Sequence, residues 1–401
     1  MLSRIPVTAA LMLQYPMASS MHKIVSILFL IVVMTCVSPS QQDSTTAADS
    51  LLLKQIEQQM QPAVQSAQPG AQPRSGISTN PNISAIGDFQ SSYHSMHDRH
   101  FDFSFNEAEL SFQSVVDPYA RADFFLSLAK DPSTGKYEAD VEEAYLTTLE
   151  LPAHLQLKAG KFRMALGRMN PVHPHALPFI DLPNAYVNYF GDEGLNDEGL
   201  SLSWLVPNPL DFYQELTVEA TTGPVNSPSF VRSSSNKYFF LSHLKNFWDL
   251  TQNATLELGL SGMVGPNASS SSTTMGAFDL TYKWKPLQYN TYQSLVWQSE
   301  AFFSKASDPL VDDVNSWGMY SFLTYQVEKR WFLTGRFDYS NQPTSASLVE
   351  RAYSATLGWY ATEFQKIELE GKMTSSNFQD EYYQAMLRWV FVIGSHGAHS
   401  Y

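Results

Sequence analysis

Seven of the ten histidines in this 401-residue chain fall into three short clusters. His94, His97 and His100 surround Asp98. His173 and His175 flank Pro174, with Asp181 a little further on. His396 and His399 stand near the C-terminus. Imidazole with carboxylate is the donor set of zinc and related divalent metals. His94, His97, His100, His173 and His175 are therefore candidate ligands for a zinc ion. A plainer reading is also open. His-Ser-Met-His-Asp-Arg-His makes an ordinary solvated loop, and His-Pro-His on its own has no set ligand geometry. Cys36 is the only cysteine, so disulfide frameworks and multi-cysteine metal sites are excluded.

A second constellation, Arg163, Arg168, Asp181 and Asp192, lies within residues 163–196. In a water-filled channel such residues set ion preference, and Arg163 with Arg168 would draw anions. Their bland alternative is salt bridging to nearby carboxylates. Catalysis finds no footing. There is no Gly-x-Ser-x-Gly elbow, phosphate loop or His-Glu-x-x-His, and the chain reads as a non-enzyme. A net charge of −14 argues against nucleic acid as a partner.

The elements that must position these groups are strands. From about residue 82 onward, apolar and polar residues alternate in short stretches. Leu256, Leu258 and Leu260 share one face, with Thr255, Glu257 and Ser261 on the other. Ile367, Leu369 and Met373 oppose Lys366, Glu368, Glu370 and Lys372. A period of two marks strands. An apolar face opposite one carrying both charges, repeated along the chain, suits a barrel with lipid outside and water inside. The polar face includes Glu107, Glu109, Glu219, Glu300, Arg336, Asp338, Glu370 and Arg388. An arginine at Leu258 or Leu369 should then cost about 2–4 kcal/mol, and one at Glu257 or Glu368 little.

The pattern parses into about 16 strands, with approximate ranges 83–93, 101–116, 119–129, 138–151, 154–163, 198–206, 213–222, 237–246, 253–264, 274–285, 293–304, 316–327, 330–340, 349–360, 364–374 and 381–394. Tight turns, as at 207–210 and 286–289, alternate with longer polar loops, as at 223–235 and 342–346. That is the rim pattern of an outer-membrane barrel. Trp204, Trp248, Trp284, Tyr325 and Trp359 fall at strand ends, where interface girdles sit. In the second strand Phe101, Phe103 and Phe105 are odd while Ala108, Leu110 and Phe112 are even, so a bulge is expected near Asn106.

Residues 163–196 break the rhythm. Met164, Leu166, Met169, Leu177, Phe179, Ile180 and Leu182 need cover, and four prolines exclude regular strand. A long loop of this kind is usually functional. Folding inward against the wall covers its apolar side and narrows the pore.

Four strings carry a resemblance: NPNISAIGDFQ, NEAELSFQSVVDPYARADFFLSL, KFRMALGRMNPVHPHALPFIDLP and WVFVIGSHGAHSY. The chain resembles porin-like Gram-negative outer-membrane β-barrel proteins, a group partly labelled zinc-regulated TonB-dependent outer-membrane receptor. The resemblance implies a 16-stranded transmembrane antiparallel up-and-down barrel. It also implies an inward loop between strands five and six, and passive diffusion of small hydrophilic solutes or ions. The alternative is a receptor or a metal- or ligand-binding barrel linked to zinc uptake. A TonB-dependent receptor needs about 22 strands and a large plug, which residues 39–80 cannot supply.

Residues 1–38 read as an N-terminal extension and signal peptide. Met21-His-Lys precedes an apolar run at 24–34 and then small residues. Met21 is a candidate start. Val33-Met-Thr-Cys36 leaves open a lipidated Cys36. Residues 39–80 read as a Gln/Pro/Ser-rich periplasmic tether with a short helix, and 81–401 as the barrel. Expected partners are outer-membrane lipid, the barrel-assembly machinery, small hydrophilic solutes and, by porin habit, two further copies in a homotrimer.

Overall fold

The computed structural model describes residues 81–96, 101–130, 135–210, 212–224, 227–232, 237–310 and 312–394. The expected signal peptide, tether, His97, His100, His396 and His399 lie outside the described residues. Sixteen antiparallel strands close into a barrel, each paired with its neighbours in sequence. They are β1 Asn82–His94, β2 Phe101–Asp117, β3 Ala120–Lys130, β4 Tyr137–Thr148, β5 Leu155–Arg163, β6 Asn196–Leu205, β7 Tyr213–Thr221, β8 Phe239–Thr251, β9 Ala254–Pro266, β10 Ser272–Trp284, β11 Ser294–Ala306, β12 Val314–Glu328, β13 Trp331–Gln342, β14 Ser345–Thr362, β15 Gln365–Ser376 and β16 Tyr382–Gly394. Closure comes from β1 against β16, with Ser84 opposite Gly394 and His94 opposite Gln384. A closed barrel leaves no unpaired edge.

The two faces separate as the alternation requires. On β15, Leu369 is 54 % exposed while Glu368 and Glu370 are 1 % and 0 % exposed. Leu260 on β9, Leu323 on β12 and Leu387 on β16 also point outward and are exposed. No described helix is long and apolar enough to cross a membrane; the strands provide the apolar outer surface.

Two bulges adjust the inner face. Asp88 pairs with Glu107 and Phe89 with Phe105, so Asn106 is the extra residue, where the parity switch placed it. Phe125 pairs with Glu143 and Leu126 with Val141, so Glu142 is a second extra residue. Its signal was present in the same form: Ala139 and Val141 are odd, Ala144 and Leu146 even.

Two connections differ from expectation. The loop expected at 342–346 is a two-residue turn, Pro343-Thr344, because Gln342 pairs with Ser345; the next pair is Asn341 with Val349, which leaves 346–348 as an irregularity in β14. The tight turn expected at 286–289 is a longer link between β10 and β11, wound by Tyr289 N–H to the Pro286 carbonyl at 3.0 Å.

The inner wall is also less tolerant than alternation suggests. Glu368 is enclosed between Arg388 at 2.6 Å and Lys366 at 3.1 Å. An arginine there would leave buried cations unpaired, so the expectation of a small cost at Glu368 does not hold. The tolerant inner positions are those beside open space, such as Gln113. Leu369→Arg should therefore cost about 2–4 kcal/mol in a reversible refolding assay in lipid vesicles, against under about 1 kcal/mol for Gln113→Arg. Equal costs would overturn the assignment of the two faces.

Candidate functional site

Residues 164–195 join β5 to β6 and hold little regular structure. They contain a 3-10 turn, Pro174–Ala176, and one short helix, α1, Asn184–Phe190. The base of the segment is closed by Met164 N–H to the Leu195 carbonyl at 2.9 Å. Asn170 locks that closure: its amide donates to the carbonyls of Met164 (2.6 Å) and Leu195 (2.9 Å). Its Oδ1 accepts from Leu195 N–H and from the Tyr186 hydroxyl.

Prolines 171, 174, 178 and 183 keep the segment from pairing all of its own backbone. Its N–H and C=O groups must find other partners when buried, and the polar faces of the strands supply them. Carboxylates take the donors: Glu219 on β7 accepts from Ala165 N–H (3.0 Å) and Glu300 on β11 from Arg168 and Met169 N–H (2.8 Å each). Glu370 on β15 accepts from Ile180 N–H (2.6 Å), and Asp338 on β13 from Asn184 N–H at the start of α1 (3.0 Å). Cations take the acceptors. Arg388 on β16 donates to the carbonyls of Pro174, Leu177, Phe179 and Ile180 at 2.7–3.3 Å. Lys366 reaches the Leu177 carbonyl and Arg336 the Asp181 carbonyl. Gly167 makes the turn over Glu300 possible. Its φ is +55°, and a Cβ there would sit 2.6 Å from Oε2 of that carboxylate.

The apolar side is covered in the same act. Met164, Leu166, Met169, Leu177, Phe179, Tyr186, Tyr189 and Phe190 share one buried cluster with Phe239, Leu241, Met275, Phe302, Tyr320 and Phe322 from β8, β10, β11 and β12. Phe190 meets Phe302 edge-on at 4.9 Å, and the Arg336 guanidinium lies 4.5 Å from the Phe179 ring centre. The apolar cluster of the segment is thus packed on β8 to β12. Two cavities border the segment. One of about 630 Å³ is lined by Gln113, Arg121, Asp123, Lys158, Arg168 and His173; the other, of about 470 Å³, by Asp88, Glu107, Asp181, Asp192, Glu350 and Lys372.

The four charged residues singled out in the sequence are placed differently from one another. Arg163 is buried and ion-paired with Glu142, and it donates to the Glu193 carbonyl at 3.0 Å. Arg168 borders the larger cavity, with Nε 3.9 Å from Glu257. Asp181 bridges Arg336 (2.8 Å) and Lys372. Enclosure alone would raise its pKa, but those two cations outweigh it and hold the carboxyl below its ordinary range. Asp192 is exposed at the smaller cavity.

The histidines separate as well. His94 stacks on Tyr382 at 4.8 Å, and its Nδ1 accepts from Met96 N–H. His173 and His175 are 2 % and 4 % exposed. His173 Nδ1 lies 2.9 Å from Glu109 on β2, and its Nε2 lies 2.8 Å from Glu143 on β4. Burial would lower the His173 pKa, but hydrogen bonds to Glu109, Glu142 and Glu143 outweigh it and raise it well above the ordinary value. Glu142 and Glu143 did not stand out in the sequence. The bulge at Glu142 turns both toward Arg163 and His173, and the unapplied parity argument on β4 was the signal for it.

Comparison with known proteins fits this geometry. No family model matches the chain. An uncharacterized protein of Aquifex aeolicus (strain VF5) is 27 % identical over 347 residues, 75 % of this chain and 70 % of that one. Among solved structures, the anion-selective porin from Comamonas acidovorans superposes with a TM-score of 0.54 at 9 % identity, covering 78 % of this chain and 99 % of the porin. OprB of Pseudomonas putida gives 0.53 at 8 % identity, covering 78 % and 94 %. The OmpT loop-deletion variant, an outer membrane protein of Vibrio cholerae, gives 0.53 at 9 %, covering 78 % and 99 %. These likenesses establish the fold. Nothing among them supports a TonB-dependent receptor, and the 16 strands observed fall short of the number that label requires.

The anchoring is testable. Arg388→Met removes the donor to four carbonyls and the close partner of Glu368. Amide exchange within 174–182 should lose protection worth about 3–5 kcal/mol, with strand amides little changed. Unchanged exchange in that stretch would show that Arg388 does not hold it.

Proposed function

We propose that this protein is a passive channel of the Gram-negative outer membrane for small hydrophilic solutes or ions, with residues 164–195 as its constriction. The observation that carries this is that charged, water-accessible cavities remain beside a segment tied to the wall. The segment is fastened to the polar faces of β2, β4, β7, β11, β13, β15 and β16 and packed on β8 to β12, yet it does not fill the space around it. A plug would bury its whole circumference, and a surface loop would not be tied to the wall at all. The fold shared with porins agrees with this role. One similar structure is of the trimer form of Vibrio cholerae OmpT, which favours the homotrimer as the working assembly.

In this reading Arg168 and Asp192 act on the permeating ion, since they border open space. Arg163 and Asp181 act mainly by holding the segment, since their charges are met by close partners. Solutes pass cavities carrying both signs, so selectivity rests on which charges border the open space.

Replacing residues 171–183 by a short Gly/Ser linker should raise single-channel conductance in planar bilayers and blunt ion preference. Arg168→Glu should shift the reversal potential toward cation preference, and Arg163→Gln should do so less. A linker variant that assembles but conducts no better than the intact chain would defeat the constriction reading.

A further inference from the structure

Glu109, His173 and His175 are all buried, and their ligand atoms lie within 4.8 Å of one another. We propose that they form a specific site for a divalent transition metal such as zinc, clamping the 164–195 segment to β2.

The distances suit the ion. A tetrahedral zinc with bonds of about 2.0–2.1 Å separates its ligand atoms by roughly 3.3 Å. His173 Nδ1 is 2.9 Å and His175 Nδ1 3.5 Å from the same Glu109 oxygen, Oε2. The outer shell is already in place. His173 Nε2 meets Glu143 at 2.8 Å, so a carboxylate accepts from the far ring nitrogen and leaves Nδ1 directed at the site. The metal takes the position of the Nδ1 proton, which leaves with solvent.

A buried oxygen on the carboxylate ligand also favours a cation. Glu109 Oε1, beside the Oε2 that faces both histidines, has no hydrogen-bond partner among the described residues, which suits a grip on the ion through both oxygens. A carboxylate oxygen buried in that way is costly, and a bound ion removes the cost. The charge balance agrees. Glu109, Glu142 and Glu143 converge where Arg163 is the arginine partner, so a dication fits the surplus. The position also has consequences. His173 borders the larger cavity and Pro174 the smaller one, so the site lies where the segment separates them.

The site does not depend on the channel reading, and its test does not use conductance. Zinc titration by calorimetry on the purified full-length barrel, in detergent free of chelators, should show one saturable site that His175→Ala weakens at least ~10-fold. Glu109→Gln should weaken it likewise, while His94→Ala should leave it unchanged. X-ray absorption on the zinc-loaded protein should show two imidazoles with carboxylate oxygens. Heat-dependent gel mobility identifies which variants have folded, and any one of the folded pair decides. Isotherms that are the same for the wild type and a folded His175→Ala or Glu109→Gln variant overturn the proposal. So does a site lost in His94→Ala, or an absorption spectrum without imidazole.

Discussion

The structure depends on one constraint: residues 164–195 must be buried and can satisfy only part of their own backbone. Four prolines and a run of large apolar residues remove both helix and strand as solutions, apart from the seven residues of α1. Each buried N–H and C=O that the segment leaves unpaired needs an outside partner. A barrel interior offers them in quantity because period-two alternation places a polar side chain on every second strand position. The charges of the inner wall are therefore a replacement for secondary structure. Glu219, Glu300, Asp338 and Glu370 stand in for carbonyls, and Arg388, Lys366 and Arg336 stand in for amides.

That division of labour makes formal charge a poor guide to the field in the cavities. Arg388 is fully buried, and Arg336 is wrapped by Asp181, Asp338 and Glu370. Such charges are spent on geometry. The field felt in the cavities comes from residues at their margins, among them Arg168, Lys158 and Asp192. In a low-dielectric wall a tightly enclosed pair has little reach, while a charge at a water boundary acts on the water-filled space beside it.

The sequence carried the barrel almost completely, because alternation is a local signal repeated sixteen times. Strand ends follow from where it stops, and even the Asn106 bulge showed as a change of parity. The Pro343-Thr344 turn was misjudged because its polar, small-residue neighbourhood reads as a loop although 346–348 are absorbed by β14. The inward segment was legible as an anomaly of composition. Its partners were not, since Glu300 lies 132 residues from the Arg168 amide it binds and Arg388 lies 214 from the Pro174 carbonyl. His173 and His175 could be named, but nothing local says that Glu109 and two residues from a bulged β4 meet them.

Barrel closure and segment docking are energetically separable. The strands pair with their sequence neighbours all the way round, and none of those ladders uses a residue of 164–195. Several wall charges are also matched among themselves: Glu368 with Arg388 and Lys366, Arg336 with Asp338, and Arg121 with Asp123. A closed wall is thus not a wall of isolated buried ions before the segment arrives. The exception is the region of β2 and β4, where two bulges bring Glu109, Glu142 and Glu143 together with more negative than positive charge. Electrostatics there opposes closure unless a cation, protonic or metallic, arrives with His173. His173 meets that surplus from the segment, with Nδ1 against Glu109 on β2 and Nε2 against Glu143 on β4, so on this side docking of the segment and closure of the wall support each other.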